Sequence, residues 1–149
     1  MKSLMIASDH GGWELKEKIK SHFPEIQWID YGPSTESQSV DYPDFADLVC
    51  TKIKSDLDAP QAILVCGSGQ GMAMRANKYN QVRAALVWNE ESTRLAREHN
   101  NANILCLGGR LLDFKTALAC VKLFIDTPFA GGRHQNRIDK LHKLITPTC

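Results

Sequence analysis

The stretch Ala62-Ile63-Leu64-Val65-Cys66-Gly67-Ser68-Gly69-Gln70-Gly71-Met72-Ala73-Met74 decides the fold. Its first five residues, four aliphatic side chains and a cysteine, predict a short strand buried on both faces, as in a parallel sheet. Three glycines within five positions follow, and then a run that favours a helix over 72–78. Glycines in such a loop let backbone N–H groups approach an anion, and the N-terminus of the next helix adds positive potential there. The stretch therefore predicts a strand, an anion-binding loop and a helix.

Cys66 stands at the C-terminal tip of this strand, next to the start of the helix. A thiol in that position is favoured as the thiolate, which can act as a base or as a nucleophile. The alternative is that Cys66 is a small buried hydrophobic residue, the commoner role of a cysteine that ends an apolar strand. The pattern alone leaves both interpretations open.

Two other kinds of phosphate-binding loop need residues that this stretch lacks. A cysteine phosphatase loop needs an arginine six residues after the cysteine, where this chain has Met72. The dinucleotide-binding pattern G-x-G-x-x-G needs a glycine at the same place. Glu90 and Glu91 stand where an acid that binds ribose would lie, about 20 residues further on, so nucleotide binding stays open as an alternative.

The composition narrows the class of protein. The 149 residues include 18 basic and 17 acidic side chains, a net charge of +1, which gives no electrostatic case for nucleic acid or a membrane as partner. Five cysteines, an odd number without a C-x-x-C pair, indicate reduced thiols and not a disulfide framework or a zinc site. No secretory leader precedes the first strand, and no apolar run approaches 18 residues. We therefore expect a cytoplasmic protein.

Apolar strands alternate with amphipathic segments along the chain. Strands are predicted at 4–8, 26–31, 62–66, 82–88 and 103–107, and helices at 13–23, 44–57, 72–78, 90–99, 113–126 and 133–145. This alternation predicts an α/β protein with a Rossmann-like three-layer αβα sandwich around a five-stranded parallel sheet. The absence of an internal repeat or linker predicts one domain over 1–149.

Polar residues follow the carboxyl ends of four predicted strands, where open α/β sheets bind their ligands. They are Asp9 and His10, the loop 67–71, Asn89, and Arg110. We expect them to converge into a site that moves protons on an anionic substrate.

Three further charged residues have two interpretations each. His99 ends a helix, and Arg133 and Arg137 share one face of the last helix. All three could belong to a solvated surface, or could serve an anionic substrate, because arginine binds phosphate with two hydrogen bonds.

The remaining cysteines and histidines are assigned by their position in these elements. Cys50, Cys106 and Cys120 fit core positions, and Cys149 is a thiol in the C-terminal tail. His22 and His142 lie in charged helices and are predicted at the surface.

Five motifs taken together resemble the type B ribose-5-phosphate isomerases, a family that also contains galactose-6-phosphate and allose-6-phosphate isomerases. They are Ala7-Ser8-Asp9-His10-Gly11-Gly12, Asp41-Tyr42-Pro43, Cys66-Gly67-Ser68-Gly69-Gln70-Gly71, Arg97-x-His99-Asn100-x-Ala102-Asn103 and Gly131-Gly132-Arg133-His134-x-x-Arg137. No single motif is decisive, but five in the same order over nearly the whole chain are highly specific.

The resemblance implies an isomerase that interconverts D-ribose 5-phosphate and D-ribulose 5-phosphate through an enediolate, in the non-oxidative pentose phosphate pathway. In that reaction Cys66 would take the carbon-bound proton, Asp9 would relay protons between O1 and O2, and His99 would act on the ring oxygen to open the sugar. The enediolate oxygens would be bound by the Ser68 hydroxyl and by the backbone N–H groups of Gly67, Ser68, Gly69, Gln70 and Gly71. Asn100 would bind the sugar hydroxyls. The phosphate would be bound by His10, Arg110, Arg133 and Arg137.

Family variation and assembly complete what the resemblance implies. One branch lacks the cysteine and uses a glutamate at the position of Met72, so this chain is placed with the thiol branch; many relatives carry threonine in place of Ser68. The family builds its sites at a homodimer interface, with His99, Asn100 and Arg110 expected from the neighbouring subunit, and uses no metal or organic cofactor. The alternatives are a hexose-6-phosphate isomerase and, from another class, a sugar-phosphate or nucleotide binding module without turnover.

Overall fold

The computed structural model describes residues 2–148 and confirms the α/β class with a parallel sheet. Its five strands are β1 (Ser3–Ser8), β2 (Gln27–Asp30), β3 (Ala62–Cys66), β4 (Ala84–Leu86) and β5 (Ile104–Gly108). Every neighbouring pair is parallel, and the strands lie in the order β2-β1-β3-β5-β4. The order switches direction between β1 and β3, so a crevice is expected at their carboxyl ends.

Helices cover both faces of this sheet. They are α1 (Trp13–His22), α2 (Tyr42–Cys50), α3 (Gln70–Ala76), α4 (Glu90–Glu98), α5 (Phe114–Asp126) and α6 (Arg133–Leu141). Helices α1, α4 and α5 pack on one face, where Ile63 and Val65 of β3 point. Helices α2 and α3 pack on the other face, together with Leu64 and Cys66. The alternation along β3 therefore turns the Cys66 side chain toward α2 and α3.

Three elements are shorter by four or more residues than the sequence pattern predicts. Helix α2 ends at Cys50 and not near residue 57, because the Gln61 side chain binds the backbone N–H and C=O of Lys54 at 2.8 and 2.7 Å and holds that segment outside the helix. Helix α6 ends at Leu141 and not at residue 145, and β4 covers only three residues. His142, the residue after α6, binds the carbonyl of Asn80 at 2.7 Å.

The predicted core cysteines are confirmed, since Cys50, Cys106 and Cys120 are all fully buried. Cys149 lies outside the described residues. His22 is exposed as expected, but His142 is half-buried, because its ring also accepts a hydrogen bond from Arg83 at 2.8 Å. Among residues 2–148, no helix is long and apolar enough to cross a membrane.

The outer edge of the sheet is covered at one point by a side chain. Strand β4 pairs with β5 through its inner edge, which leaves the backbone groups of Ala84 facing outward. The Asn77 amide binds both of them, accepting from the Ala84 N–H and donating to its C=O at 2.9 Å each. Asn77 thus takes the place of a neighbouring strand at this residue.

Candidate active site

The carboxyl ends of β1 and β3 place Asp9 and Cys66 beside each other. Asp9 follows β1 directly, Cys66 is the last residue of β3, and the Asp9 N–H donates to the Val65 carbonyl at 3.1 Å. This hydrogen bond continues the β1–β3 ladder by one residue. The carboxylate and the thiol therefore meet at the switch point of the sheet.

The Cys66 thiol is the acceptor of a backbone hydrogen bond. The Gly69 N–H donates to Sγ at 3.1 Å, and the side chain is only 3% exposed. Gly69 has φ +78°, a left-handed conformation that suits glycine, and a Cβ there would lie 2.7 Å from Leu86 Cδ1. The N–H of Gly69 thus points at the sulfur and holds the Cys66 side chain in one position at the base of the loop.

A cleft of about 380 Å³ opens above the thiol. It is lined by Asp9, Tyr42, Cys66, Gly67, Ser68, Gly71, Arg110 and Leu111. The Ser68 hydroxyl accepts a hydrogen bond from the Gln70 N–H at 3.3 Å, which leaves its own proton free to donate toward the cleft. The loop 67–71 thus borders the cleft with both backbone and side-chain polar groups.

Asp9 and Arg110 face each other across Gly11. The Asp9 carboxylate is nearly buried and accepts the Gly12 N–H at 2.9 Å. A Cβ built on Gly11 would lie 3.4 Å from Asp9 Oδ1 and 3.2 Å from the Arg110 guanidinium carbon. Arg110 therefore lies over the cleft of its own chain, which differs from the expectation that it serves a neighbouring subunit.

His10 is held in one tautomer. The Val40 N–H donates to Nδ1 at 3.2 Å, so the ring proton is on Nε2, and the neutral imidazole can still donate one hydrogen bond. His10 and Arg110 both line a second hollow of about 310 Å³ beside the cleft. A donor and a guanidinium at one hollow suit an anionic group.

Asn89 does not join this cleft, contrary to the sequence prediction. Its side chain accepts the Ser92 N–H at 2.8 Å, and the Ser92 hydroxyl accepts the Asn89 N–H, which together form a capping box at the start of α4. Strand β4 also lies beyond β5 in the sheet, two strands away from Cys66. Asn89 is therefore a helix cap.

His99 and Asn100 lie at the amino ends of the strands, whereas Cys66 lies at the carboxyl ends. Helix α4 starts beyond the carboxyl end of β4 and returns to the amino end of β5, so the residues that follow it sit where the strands begin. A five-residue strand is about 17 Å long. Neither side chain therefore reaches the thiol of its own chain.

Helix α6 brings Arg133, His134 and Arg137 to the same end of the sheet, next to His99. The Ala130 N–H binds the Glu98 carbonyl at 3.0 Å, and the rings of His134 and His99 stack with their centroids 4.2 Å apart. His134 is nearly buried, whereas Arg133 and Arg137 are exposed on the outer face of the helix. Burial, followed by the nearby His99 and the two arginines, lowers the pKa of His134. We call His99, Asn100, Arg133, His134 and Arg137 the α4–α6 cluster.

Two buried arginines bind the chain segments next to this cluster. Arg97, 1% exposed, donates to the carbonyls of Thr127 and Ala102 and to the Asn101 side chain at 3.1, 2.7 and 2.9 Å. Arg83 donates to the Asn101 carbonyl at 2.7 Å. Burial lowers the pKa of Arg97 to about 10, with a smaller contribution from Arg83. The hydrogen bonds fix the turn that presents His99 and Asn100.

Tyr42, His134 and Arg97 have no role among the sequence predictions. All three stand inside the motifs that carry the resemblance, but their burial and contacts come from distant parts of the chain. Met72, six residues after Cys66, is fully buried and belongs to the core beside α2. Among the described residues, no group of three or more His, Cys, Asp or Glu side chains could hold a metal ion.

Comparison with known proteins shows to which family the chain belongs. The model of the Ribose/Galactose Isomerase family matches residues 4–141. The chain belongs to this family. The probable ribose-5-phosphate isomerase B of Mycoplasma genitalium is 45% identical over 141 residues, 93% of each chain. The ribose-5-phosphate isomerase B of Mycolicibacterium paratuberculosis is 42% identical over 139 residues, 91% of this chain and 87% of the relative.

Solved structures of family members have the same fold. A ribose 5-phosphate isomerase from Thermotoga maritima superposes with a TM-score of 0.89 at 46% identity, covering 96% of this chain and 99% of that one. The enzyme from Mycoplasma genitalium, solved with bound ribulose-5-phosphate, gives a TM-score of 0.88 at 44% identity over 94% and 93% of the two chains.

Proposed function

We propose that this chain is a ribose-5-phosphate isomerase, acting as one domain that interconverts D-ribose 5-phosphate and D-ribulose 5-phosphate. The observation that carries the proposal is the Cys66 thiol, which accepts the Gly69 N–H at the floor of a cleft shared with Asp9. The family membership and the ribulose-5-phosphate bound to the Mycoplasma genitalium relative support the choice of a pentose phosphate.

The reaction moves one proton between neighbouring carbons. The Cys66 thiolate takes the proton from C2 of the open-chain aldose, and the electrons of that bond move through C1 onto O1 to give an enediolate. The N–H groups of the loop 67–71 and the Ser68 hydroxyl stabilise the negative oxygen. Asp9 moves the proton from O2 to O1, and Cys66 returns its proton to C1.

The phosphate lies away from the reacting carbons. Within one chain, His10 and Arg110 border the hollow next to the cleft and supply one neutral donor and one cation. Anchoring the phosphate there fixes C1 and C2 against the thiol, which lowers the entropy cost of reaching the transition state. Arg133 and Arg137 serve the same phosphate from a second subunit.

A homodimer completes the site. Each chain carries Cys66 and Asp9 at the carboxyl ends of its strands and the α4–α6 cluster at the amino ends. A two-fold dimer brings each cluster of one chain to the cleft of its partner, and both clefts are then equivalent. His99 of the partner subunit opens the sugar ring, and Asn100 of the partner subunit binds its hydroxyls.

The experiment that tests the proposal measures interconversion of ribose 5-phosphate and ribulose 5-phosphate by the purified protein. Allose 6-phosphate and galactose 6-phosphate are assayed in parallel, with EDTA in every reaction. The expected result is fastest turnover of the pentose phosphate. Turnover of a hexose phosphate alone would overturn the substrate, and binding without any turnover would indicate a binding module.

A further inference from the structure

Tyr42 is the aromatic wall of the cleft above Cys66. It is the first residue of α2, is 39% exposed, and lines the cleft together with Arg110 and Leu111. None of the other residues that line this cleft is aromatic. Tyr42 therefore supplies the one ring, and Leu111 the one aliphatic side chain, among the residues that line the cleft with the thiol.

The ring lies directly on the backbone of the loop. A Cβ built on Gly71 would be 2.6 Å from Cζ of Tyr42 and 2.7 and 2.9 Å from the two Cε atoms. The phenolic end of the ring therefore occupies the space that any side chain at position 71 would need. Glycine at 71 lets the ring close over the loop without a gap.

Two helices hold Tyr42 and Gly71 together. Tyr42 is in the first turn of α2, and Gly71 is in the first turn of α3. Arg75 of α3 binds both carboxylate oxygens of Asp47 of α2 at 2.7 and 2.8 Å. This two-pronged contact fixes one helix against the other and keeps the ring in register with the loop.

The proposed reaction makes this wall important. After the thiolate has taken the C2 proton, that proton stays on sulfur until it is returned to C1. A water molecule in contact with the thiol would exchange it for a solvent proton. An apolar ring that excludes water prevents the exchange without changing the number of protons or electrons in the reaction.

We propose that the Tyr42 ring shields the Cys66 thiol from water and thereby sets the fraction of substrate protons that return to the substrate. The proposal rests on the isomerase function above. The proposal assigns the shielding to the ring and not to the hydroxyl; ring carbons lie against Gly71, another residue that lines the cleft. Tyr42 acts on the thiol's surroundings, and no bond to the phenol oxygen is formed or broken.

The test follows deuterium from C2 of ribose 5-phosphate into C1 of ribulose 5-phosphate, in ordinary water and at low conversion. The unaltered protein is expected to retain part of the label. Tyr42→Phe should retain as much, while Tyr42→Leu should retain less and Tyr42→Ala severalfold less. Leu48→Ala is the matched control, because Leu48 is on the same helix, is 46% exposed, and is not among the residues that line the cleft.

Each outcome bears on the proposal. Equal retention by the unaltered protein and Tyr42→Ala, or complete loss of label in the unaltered protein, would overturn it while leaving the isomerase function standing. Loss of label in Tyr42→Phe would assign the effect to the hydroxyl and also overturn it. Absence of any isomerisation by the unaltered protein would refute the proposed function, and this inference with it. If Tyr42→Ala fails to fold, Tyr42→Leu decides alone.

Discussion

His134 stacks on His99 with ring centroids 4.2 Å apart and planes inclined by 16°. The stack joins the start of α6 to the end of α4, two elements about 35 residues apart in the chain. His134 is the buried member, and His99 is the one left half-exposed at the edge of the sheet. The contact therefore holds the His99 ring in position, and His99 is the residue to which we assign opening of the sugar ring.

The stack should respond to pH. Burial, His99 and the two arginines lower the pKa of His134 in the folded chain, so the unfolded chain binds more protons as pH falls below the ordinary value of about 6.5. The stability contributed by neutral His134 is full above that pH and declines as pH falls toward the lowered pKa. We expect the stability advantage over His134→Gln, measured by urea denaturation, to shrink between pH 8 and pH 5.

The same shift can be observed directly. The ring C–H resonances of His134 should titrate with a midpoint below about 6.5 in proton NMR. A midpoint at or above that value would show that the stack does not disfavour the imidazolium.

Replacing the proposed base should separate turnover from binding. We expect Cys66→Ala to lower kcat on the order of 10²-fold or more, the usual contribution of a positioned general base. Ligand affinity, measured by calorimetry with ribulose 5-phosphate, should be retained because the loop donors remain. Cys50→Ala is the control, since Cys50 is a core thiol whose pKa burial raises to about 12. Unchanged kcat in Cys66→Ala would contradict the assignment.

Mixing two inactive variants should restore activity if the site is shared between subunits. Cys66→Ala removes the base from one part of the site, and His99→Asn removes the ring-opening group from the other. After subunit exchange in equal amounts, half of the dimers are mixed and carry one intact site, so about a quarter of all sites recover. Cys66→Ala mixed with a chain carrying both substitutions is the control. Mixed dimers detected by native mass spectrometry without activity would disprove sharing.

Gly12 should tolerate no side chain. A Cβ there would lie 2.3 Å from the Val65 carbonyl oxygen and 2.9 Å from the Cys66 nitrogen, both backbone atoms that cannot turn aside. We expect Gly12→Ala to lower the free energy of unfolding by about 3 kcal/mol. Gly131→Ala, where φ is +65° and nothing lies within 4 Å, should cost only about 1 kcal/mol. Equal costs in chemical denaturation would show that β3 moves to make room.

The local part of the site was predictable from sequence. The apolar run before Cys66 and the glycines after it predicted the strand, the loop and the start of a helix, and the structure has all three. Asp9 and Arg110 were expected at the same edge because parallel strands end together. These features depend on residues that are close together in the sequence, so a local sequence pattern can predict them.

Other features depend on contacts between distant residues. Asn89 follows a strand as Arg110 does, but the strand order places β4 beyond β5, and no local pattern encodes that order. The early end of α2 depends on Gln61, eleven residues further on, which binds the backbone of Lys54. The stacking of His134 on His99 likewise required the path of the chain between α5 and α6.

The pairing of Asn77 with Ala84 limits how a second molecule can approach strand β4. A bare edge offers its N–H and C=O groups as a template for another strand, the route by which sheets extend into fibrils. Here the amide of Asn77 already satisfies the N–H and C=O of Ala84, the first residue of β4. A neighbouring strand finds no free backbone groups at Ala84, so at this residue a molecule that packs against β4 must bind through side chains and cannot pair along the full strand.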